Sequence, residues 1–322
     1  MDGVAAQTSP DGASRPAPAD AGEAFRAALF EAGILIPTGE DGIYVRSLAF
    51  ESVLERLDRI FASLSLGDGA EALRFPPGMT WPVLSRSGYL KNFPHLIGTI
   101  HCFCGTDAGH RAMLACLESG EDWTAQQQFS GLSLTPAACY PVYGIVAARG
   151  PLPRGGTLMD VMSWCFRHEP SPDPARMQMF RMHEQVAFGS AEQIEAFRSK
   201  WMERLKALAD RLRLPSAFAP ANDPFFGRPG RIMAEAQRDQ ALKQELLIPI
   251  ASEERPTACA SVNCHRDAFG RVWEITTPNG EVAHTACCGL GLERMALALF
   301  RHHGMRPDTW PADVRAALDG AA

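Results

Sequence analysis

The stretch SWCFRHEPSPDPARMQMFRMHE, residues 163–184, sets the same three residue types on either side of a turn. Phe166, Arg167 and Glu169 precede a polar, proline-containing loop, and Phe180, Arg181 and Glu184 follow it. EPSPDPAR has the composition of a hairpin connection, so the flanks are predicted to be antiparallel strands. On a strand Arg167 and Glu169, two residues apart, share one face. A planar guanidinium over a sheet-floored cleft suits an anion such as phosphate, which it can hold by paired charge-assisted hydrogen bonds. The plainer alternative is a surface cross-strand ion pair, since Arg-x-Glu is a short match.

The rest of the chain bounds what this hairpin can belong to. At 322 residues, 46% hydrophobic and 21% charged, the sequence can bury one large core or two modest ones. Residues 1–22 are mostly Ala, Gly, Pro, Ser and Asp with little to bury, and read as a disordered tail. Residues 23–322 read as one α+β domain. Ala24–Ala32, Glu51–Leu64, Ala191–Leu214 and Gly291–His302 carry apolar residues at helical spacing. PAACYPVYGIVAA (136–148) and GRVWEITTP (270–278) read as β segments from their β-branched and aromatic content. No secretory signal and no apolar run of about 18 residues is present, so a cytoplasmic protein without a membrane span is expected. A net charge of -6 argues against a broad nucleic-acid surface. Nine cysteines, an odd number, point to free thiols or metal ligands rather than a disulfide framework.

A second motif lies in HTACCGLGLERMALALF, which begins at His284. Gly289 and Gly291 permit close backbone approach, and Arg294 then falls in the first turn of an apolar helix. Taken with CFRHE, Gly-Leu-Gly-Leu-Glu-Arg resembles the third signature motif of class II aminoacyl-tRNA synthetases, and Cys-Phe-Arg-x-Glu resembles the second. ERPTACASVNC (254–264) resembles the Glu-x-Ser-Ser-Cys-Ser-Asn segment of seryl-tRNA synthetases. The resemblance spans roughly residues 42–304. It implies an antiparallel β-sheet flanked by helices, bent ATP and an aminoacyl adenylate. By that resemblance Arg167 would hold the α-phosphate, Glu169 the adenine amino group and Arg294 the γ-phosphate side, with Arg176 and Met177 also at the nucleotide. Ala258 and Glu184 would border the amino acid. Glu245 and Glu254 are the candidates for Mg²⁺.

Cys139, Glu184 and Cys287 resemble the zinc site of the atypical seryl synthetases of methanogens, and are favoured over Cys288 and His183. Three protein ligands leave Zn²⁺ a fourth position for a substrate amine. Seryl synthetases carry a large tRNA-binding arm or N-terminal domain, whereas this sequence has a short tail and no sustained heptads. LRFPPGM (73–79) and SGYLKNFPHLIG (87–98) are similar to phrases of the bacterial amino acid:[carrier protein] ligases. That similarity implies activation of glycine or alanine and transfer to the phosphopantetheine thiol of a small carrier protein, with no tRNA, in a homodimer. Carrier proteins are acidic, so the basic residues Arg228, Arg231, Arg238 and Lys243, in a segment (223–243) that looks like an insertion, are the expected docking element. The helix around Arg198, Lys200, Arg204 and Lys206 is the alternative. A truncated seryl-type synthetase and a non-catalytic paralogue are the rival readings of the whole.

Overall fold

The computed structural model describes residues 18–320. Most of the expected tail, residues 1–17, lies outside that range, while residues 18–22 already open the first helix. In chain order the elements begin with α1 (Pro18–Glu31), the β1 (Leu35–Pro37) and β2 (Tyr44–Arg46) ribbon, and α2 (Leu48–Leu66). Next come β3 (Glu71–Arg74), β4 (Gly78–Thr80), α3 (Trp81–Arg86), α4 (Tyr89–Asn92), β5 (Thr99–Cys102), α5 (Asp107–Ser119), β6 (Gln128–Leu134) and α6 (Val142–Ala147). The long hairpin of β7 (Thr157–Phe166) and β8 (Met179–Gly189) leads to α7 (Ala191–Arg211), β9 (Ala217–Pro220) and α8 (Gly227–Asp239). The chain closes with β10 (Lys243–Ile248), β11 (Thr257–Arg266), α9 (Ala268–Trp273), β12 (His284–Gly291), α10 (Leu292–His303) and α11 (Ala312–Leu318).

Seven strands form the main sheet in the order β3-β7-β8-β12-β11-β10-β9. Every neighbouring pair is antiparallel except β3 with β7. Because side chains alternate across a strand, each strand serves two different faces. Ala187, Ala286, Cys288, Leu290, Ala260, Val262 and Leu246 join the core beneath α1, α2, α7, α10 and α11. Val161, Val186, Phe188 and Cys287 face the other way, into a second core with α6, α9 and the 137–152 segment.

The helices follow from their patterns. In α2, Phe50, Val53, Leu54, Leu57, Ile60 and Phe61 form one buried stripe, and the Ser47 side chain accepts from the Phe50 amide at 3.2 Å to cap the first turn. A capping box at Ser190 and Gln193 starts α7. Two segments read as β are instead helical. Residues 142–147 place Val142, Tyr143 and Val146 on one buried face, and residues 268–273 bring Trp273 into the same core. Their β-branched and aromatic content reflects burial, not strand geometry. Gly270 is required there, because a Cβ at that position would lie 2.0 Å from the Ala283 carbonyl oxygen. β4, β6 and β5 form a separate three-stranded sheet, and α5, which connects β5 to β6, has no buried residue. Among the described residues no helix is long and apolar enough to cross a membrane.

Candidate active site

The β8–β12–β11 register builds the site floor. Glu184 pairs with Gly289 and with Val161, Gly289 pairs with Ser261, and Ser261 pairs with Glu245. One step along the strands, Val186, Cys287, Asn263 and Lys243 form the next row on the same face. Gly289 leaves the space over Glu184 open, since a Cβ there would touch the carboxylate at 3.4 Å. Cys139 arrives from the loop after β6, its backbone N–H donating to Glu184 Oε2 at 2.7 Å.

Cys139, Glu184 and Cys287 are all buried, and their ligand atoms lie within 4.8 Å of one another. Two thiols and a carboxyl gathered without a cation are costly to ionise. Burial, with the neighbouring Cys287, pushes Glu184 up to about 8. The hydrogen bond between the two thiols raises Cys139 and lowers Cys287, with His265 and Asn263 reinforcing the latter. Such a set of soft and hard donors fits a divalent metal. Outer partners fix it. His265 Nε2 is 3.7 Å from Cys287 Sγ, and its Nδ1 is 3.1 Å from Thr285 Oγ1 and 3.4 Å from the Tyr143 hydroxyl. Asn263 Nδ2 donates to Cys287 Sγ at 3.4 Å and to Ser261 Oγ at 3.2 Å, while its Oδ1 is buried without a partner among the described residues. Strand alternation turns Cys288 and His183 to the helix side. His183 is fully buried there, 2.7 Å from Asp58 and 3.0 Å from Asp160.

Beside this cluster stand the arginines. β7 ends at Phe166, but the Arg167 amide still donates to the Gln178 carbonyl, prolonging the hairpin. Arg167 Nε donates to the Pro136 carbonyl at 3.1 Å, and its guanidinium lies 5.6 Å from the Phe180 ring centroid. Arg294 donates to the carbonyls of Ala175 at 2.9 Å and Ala258 at 2.8 Å. Neither guanidinium has a carboxylate within ion-pair distance among the described residues. Burial, followed by the nearby Arg167 and Arg176 charges, pulls Arg294 below its ordinary value. Two arginines held by main-chain carbonyls rather than by carboxylates suit an anion. Next to Arg294, the buried Glu293 is clamped by Arg46 at 3.0 Å and by Arg181 at 3.2 Å, and accepts from the Arg181 amide at 2.7 Å.

Other expected residues fall differently. Half-buried Glu169 closes a tight turn onto the Arg167 carbonyl, and half-exposed Arg176 lies 3.8 Å from Asp173. The Met177 side chain packs into the helix-side core, where its sulfur accepts from Arg46 at 3.6 Å. Glu245 is paired with Lys243 at 3.1 Å, Glu254 is exposed between β10 and β11, and neither joins a three-donor cluster among the described residues. Lys243 corrects the docking expectation. It is only 9% exposed, on the site face, between Asp223 at 2.6 Å and Glu245. Its place at the start of a strand buries it, which clustering of basic residues in sequence does not reveal. Arg228 lies in the first turn of α8, Arg231 is exposed on that helix, and Arg238 bonds to Asn222. Sequence reading passed over Asn263, His265 and Asp223, none of which stands in a recognisable spacing.

No family model matches the chain. It is 48% identical over 280 residues to amino acid–[acyl-carrier-protein] ligase 1 of Bradyrhizobium diazoefficiens, covering 87% of this chain and 86% of that protein. The chain belongs to that ligase family. Ligase 2 of the same organism is 45% identical over 305 residues, covering 95% of this chain and 90% of its own length. The enzyme has the fold of a class II synthetase core. The seryl-tRNA synthetase of Methanopyrus kandleri, solved with a tRNA of A. aeolicus, superposes with a TM-score of 0.77 at 20% identity, over 92% of this chain and 60% of that one.

Two outcomes follow from the cluster. Cys287→Ser is expected to abolish bound divalent metal as read by elemental mass spectrometry, while Cys288→Ser retains it; equal loss from both would remove the assignment. Glu184 stands above its ordinary value of 4.5, so its contribution to the metal-free fold is complete below that value and is lost as pH rises to about 8. A metal needs the deprotonated group, so affinity is expected to rise between about pH 6 and about pH 8 in chelator competition corrected for the chelator's own titration. A flat profile would contradict it.

Proposed function

We propose that the ligase activates a small amino acid, glycine first and alanine second, as its adenylate with ATP and Mg²⁺, and transfers it to the phosphopantetheine thiol of an acyl-carrier protein. The observation that carries this reading is the Cys139, Glu184 and Cys287 donor cluster with Arg167 anchored on Pro136, in the same loop as Cys139, and with the carbonyl-held Arg294 close enough to feel the charge of Arg167. Membership of a family whose relatives are named for an amino acid and an acyl-carrier protein supplies the acceptor.

Zinc suits the donor set, and when bound would supply a Lewis-acid position for an uncharged α-amino group. Cys139, Glu184 and Cys287 would hold it, with Asn263 and His265 fixing Cys287. Arg167 then orients the α-phosphate for attack by the amino-acid carboxylate oxygen on phosphorus, and pyrophosphate leaves along the Arg294 side. Arg167 also meets the charge that develops as that bond forms. Glu169 borders the adenine, and Glu245 remains the better placed of the two acidic candidates for Mg²⁺, being on the site face. In the second half-reaction the carrier thiolate attacks the carbonyl carbon and AMP departs, leaving the thioester. A thiol has a few per cent thiolate near neutral pH, so no dedicated base is needed. Confinement between the floor residues Ser261 and Asn263 and the buried Lys243 favours the smallest side chains.

The carrier would dock on α8, whose Arg231, Ile232 and Met233 are exposed side by side. Lys243 is withdrawn from that surface. A homodimer would form through the exposed Ile36, Val45, Leu48, Trp164 and Met179, a patch joined by Arg46, which lies 4.7 Å from the Trp164 ring and donates to the Met179 carbonyl.

Exchange of labelled pyrophosphate into ATP is expected with glycine, more weakly with alanine, and to be lost on zinc chelation. Exchange with serine alone would favour a seryl-type synthetase, and none with any amino acid a non-catalytic paralogue. Arg231→Glu combined with Ile232→Glu should leave exchange intact and raise KM for the carrier about tenfold or more. Equal loss of both half-reactions would remove the docking assignment.

A further inference from the structure

Arg294 is held by two main-chain carbonyls that differ in how firmly they are themselves fixed. Ala258 lies in β11, where the ladder with β10 sets its position. Ala175 lies in the loop between β7 and β8, outside any strand. A guanidinium can place an anion only as accurately as its own anchors are placed. Whatever fixes the Ala175 side is therefore part of the apparatus that meets ATP.

The β1–β2 ribbon supplies that fixing. Its connecting turn lies against the loop, where the Gln178 main-chain amide donates to the Gly42 carbonyl and the Gln178 side chain to the Asp41 carbonyl, both at 2.9 Å. The approach is close, since Gly42 has a φ of +79° and a Cβ there would lie 2.9 Å from the Arg176 carbonyl oxygen. At the end of β2, Arg46 reaches the same stretch of chain with one nitrogen and the start of α10 with the other. Its Nη2 donates to the Met179 carbonyl at 2.7 Å and to Met177 Sδ at 3.6 Å. Its Nη1 lies 3.0 Å from Oε1 of Glu293, the residue before Arg294 in the first turn of α10. With a side chain only 8% exposed, Arg46 bridges the segment that leads from one anchor of Arg294 to the helix turn that carries Arg294 itself.

We propose that Arg46 is a positioning residue for ATP: by tying Glu293 to the β7–β8 loop it sets the Arg294 guanidinium, without touching the nucleotide. The inference rests on the adenylating reading of the site. A planar fork is suited to this because its two ends serve two elements at once, whereas a lysine ammonium is a single point charge that could keep Glu293 but not span both. Arg181 does not duplicate the role. It also clamps Glu293, but its other partner is Glu51 of α2 at 2.7 Å, so it secures the helix start to β8 and α2 rather than to the loop. Arg46 and Glu293 lie on the helix side of the sheet, and Cys139, Glu184 and Cys287 on the cleft side, so the effect is confined to the nucleotide.

The test compares Arg46→Met and Arg46→Lys with wild type in the full-length, metal-loaded enzyme. Affinity for ATP with Mg²⁺ is read by titration calorimetry without amino acid, and KM values by pyrophosphate exchange. Expected is a rise of about tenfold or more in Kd and KM for ATP in Arg46→Met, as for lost hydrogen bonds to charged groups, and a smaller rise in Arg46→Lys. KM for the amino acid and zinc content should stay at their wild-type values. Arg46→Lys retains a charge beside Glu293, so it decides the matter should Arg46→Met not fold. Unchanged ATP affinity would overturn the proposal. So would an equal rise in KM for ATP and for the amino acid, or a loss that follows Tm, zinc content or oligomeric state, since a merely structural role would move these together. Binding of ATP by the wild type carries the functional reading and the variant-to-wild-type ratio carries this one, so the two fail separately.

Discussion

Antiparallel pairing of β8 with β12 is the constraint on which the rest depends. It places Gly289 against Glu184 and, with the neighbouring rows, turns Cys287 and Asn263 to the same side. A slip of one residue would present His183 and Cys288 to the cleft and bury Glu184 and Cys287 under the helices. The register is locked from both faces. Ala187, Ala286, Cys288 and Leu290 are packed under α2, α7 and α10, while Val186 and Phe188 are packed against α6 and α9. Polar contacts add to this, since His183 between Asp58 and Asp160 binds the hairpin to α2.

The two sides of the sheet treat buried charge in opposite ways. On the helix side carboxylates are matched internally. Asp160 accepts from Arg74 at 2.6 Å and Gln185 at 2.5 Å beside its contact with His183, and Glu293 lies between Arg46 and Arg181. On the cleft side Lys243 is matched by Asp223 and Glu245, but other groups are left short of partners. Arg167 and Arg294 have carbonyls rather than carboxylates, Glu184 lies with two thiols, and Asn263 Oδ1 has no partner among the described residues. Buried atoms without partners also occur on the helix side, at Arg46 Nε and the Tyr44 hydroxyl, so what sets the cleft apart is the pairing of Arg167 and Arg294 with carbonyls and of Glu184 with thiols.

The hairpin and the long helices were legible because each rests on local chemistry: alternation up to a proline-rich turn for β7 and β8, apolar spacing with side-chain capping for α2 and α7, and apolar spacing alone for α10. The segments around Val142 and Trp273 were not, since valine, tyrosine and tryptophan are chosen there to fill a core and imitate strand preference. The site was legible only through family motifs. Cys139 is 45 residues from Glu184 and more than 100 from Cys287, and no spacing rule joins them; the sheet register does. Lys243 was misread because charge clustering in sequence says nothing of which strand face a residue takes.

That last residue also shows how the site and α8 are joined. Asp223 takes Lys243 Nζ at 2.6 Å on one oxygen and Gln237 Nε2 of α8 at 2.8 Å on the other, while its own amide donates to Gln237 Oε1 at 2.7 Å. Lys243 in turn reaches Glu245 on the sheet row that contains Ser261, Gly289 and Glu184. Phe225, at the other end of α8, stacks on Phe93 at 5.0 Å, in the cluster that holds Tyr89. A helix fastened at one end to the sheet floor and at the other to the Tyr89 cluster cannot move without disturbing either. Anything that docked on the exposed face of α8 would therefore be tied to the sheet floor by a continuous path of contacts through Gln237, Asp223 and Lys243, which suits delivery of a thiol to a fixed carbonyl carbon.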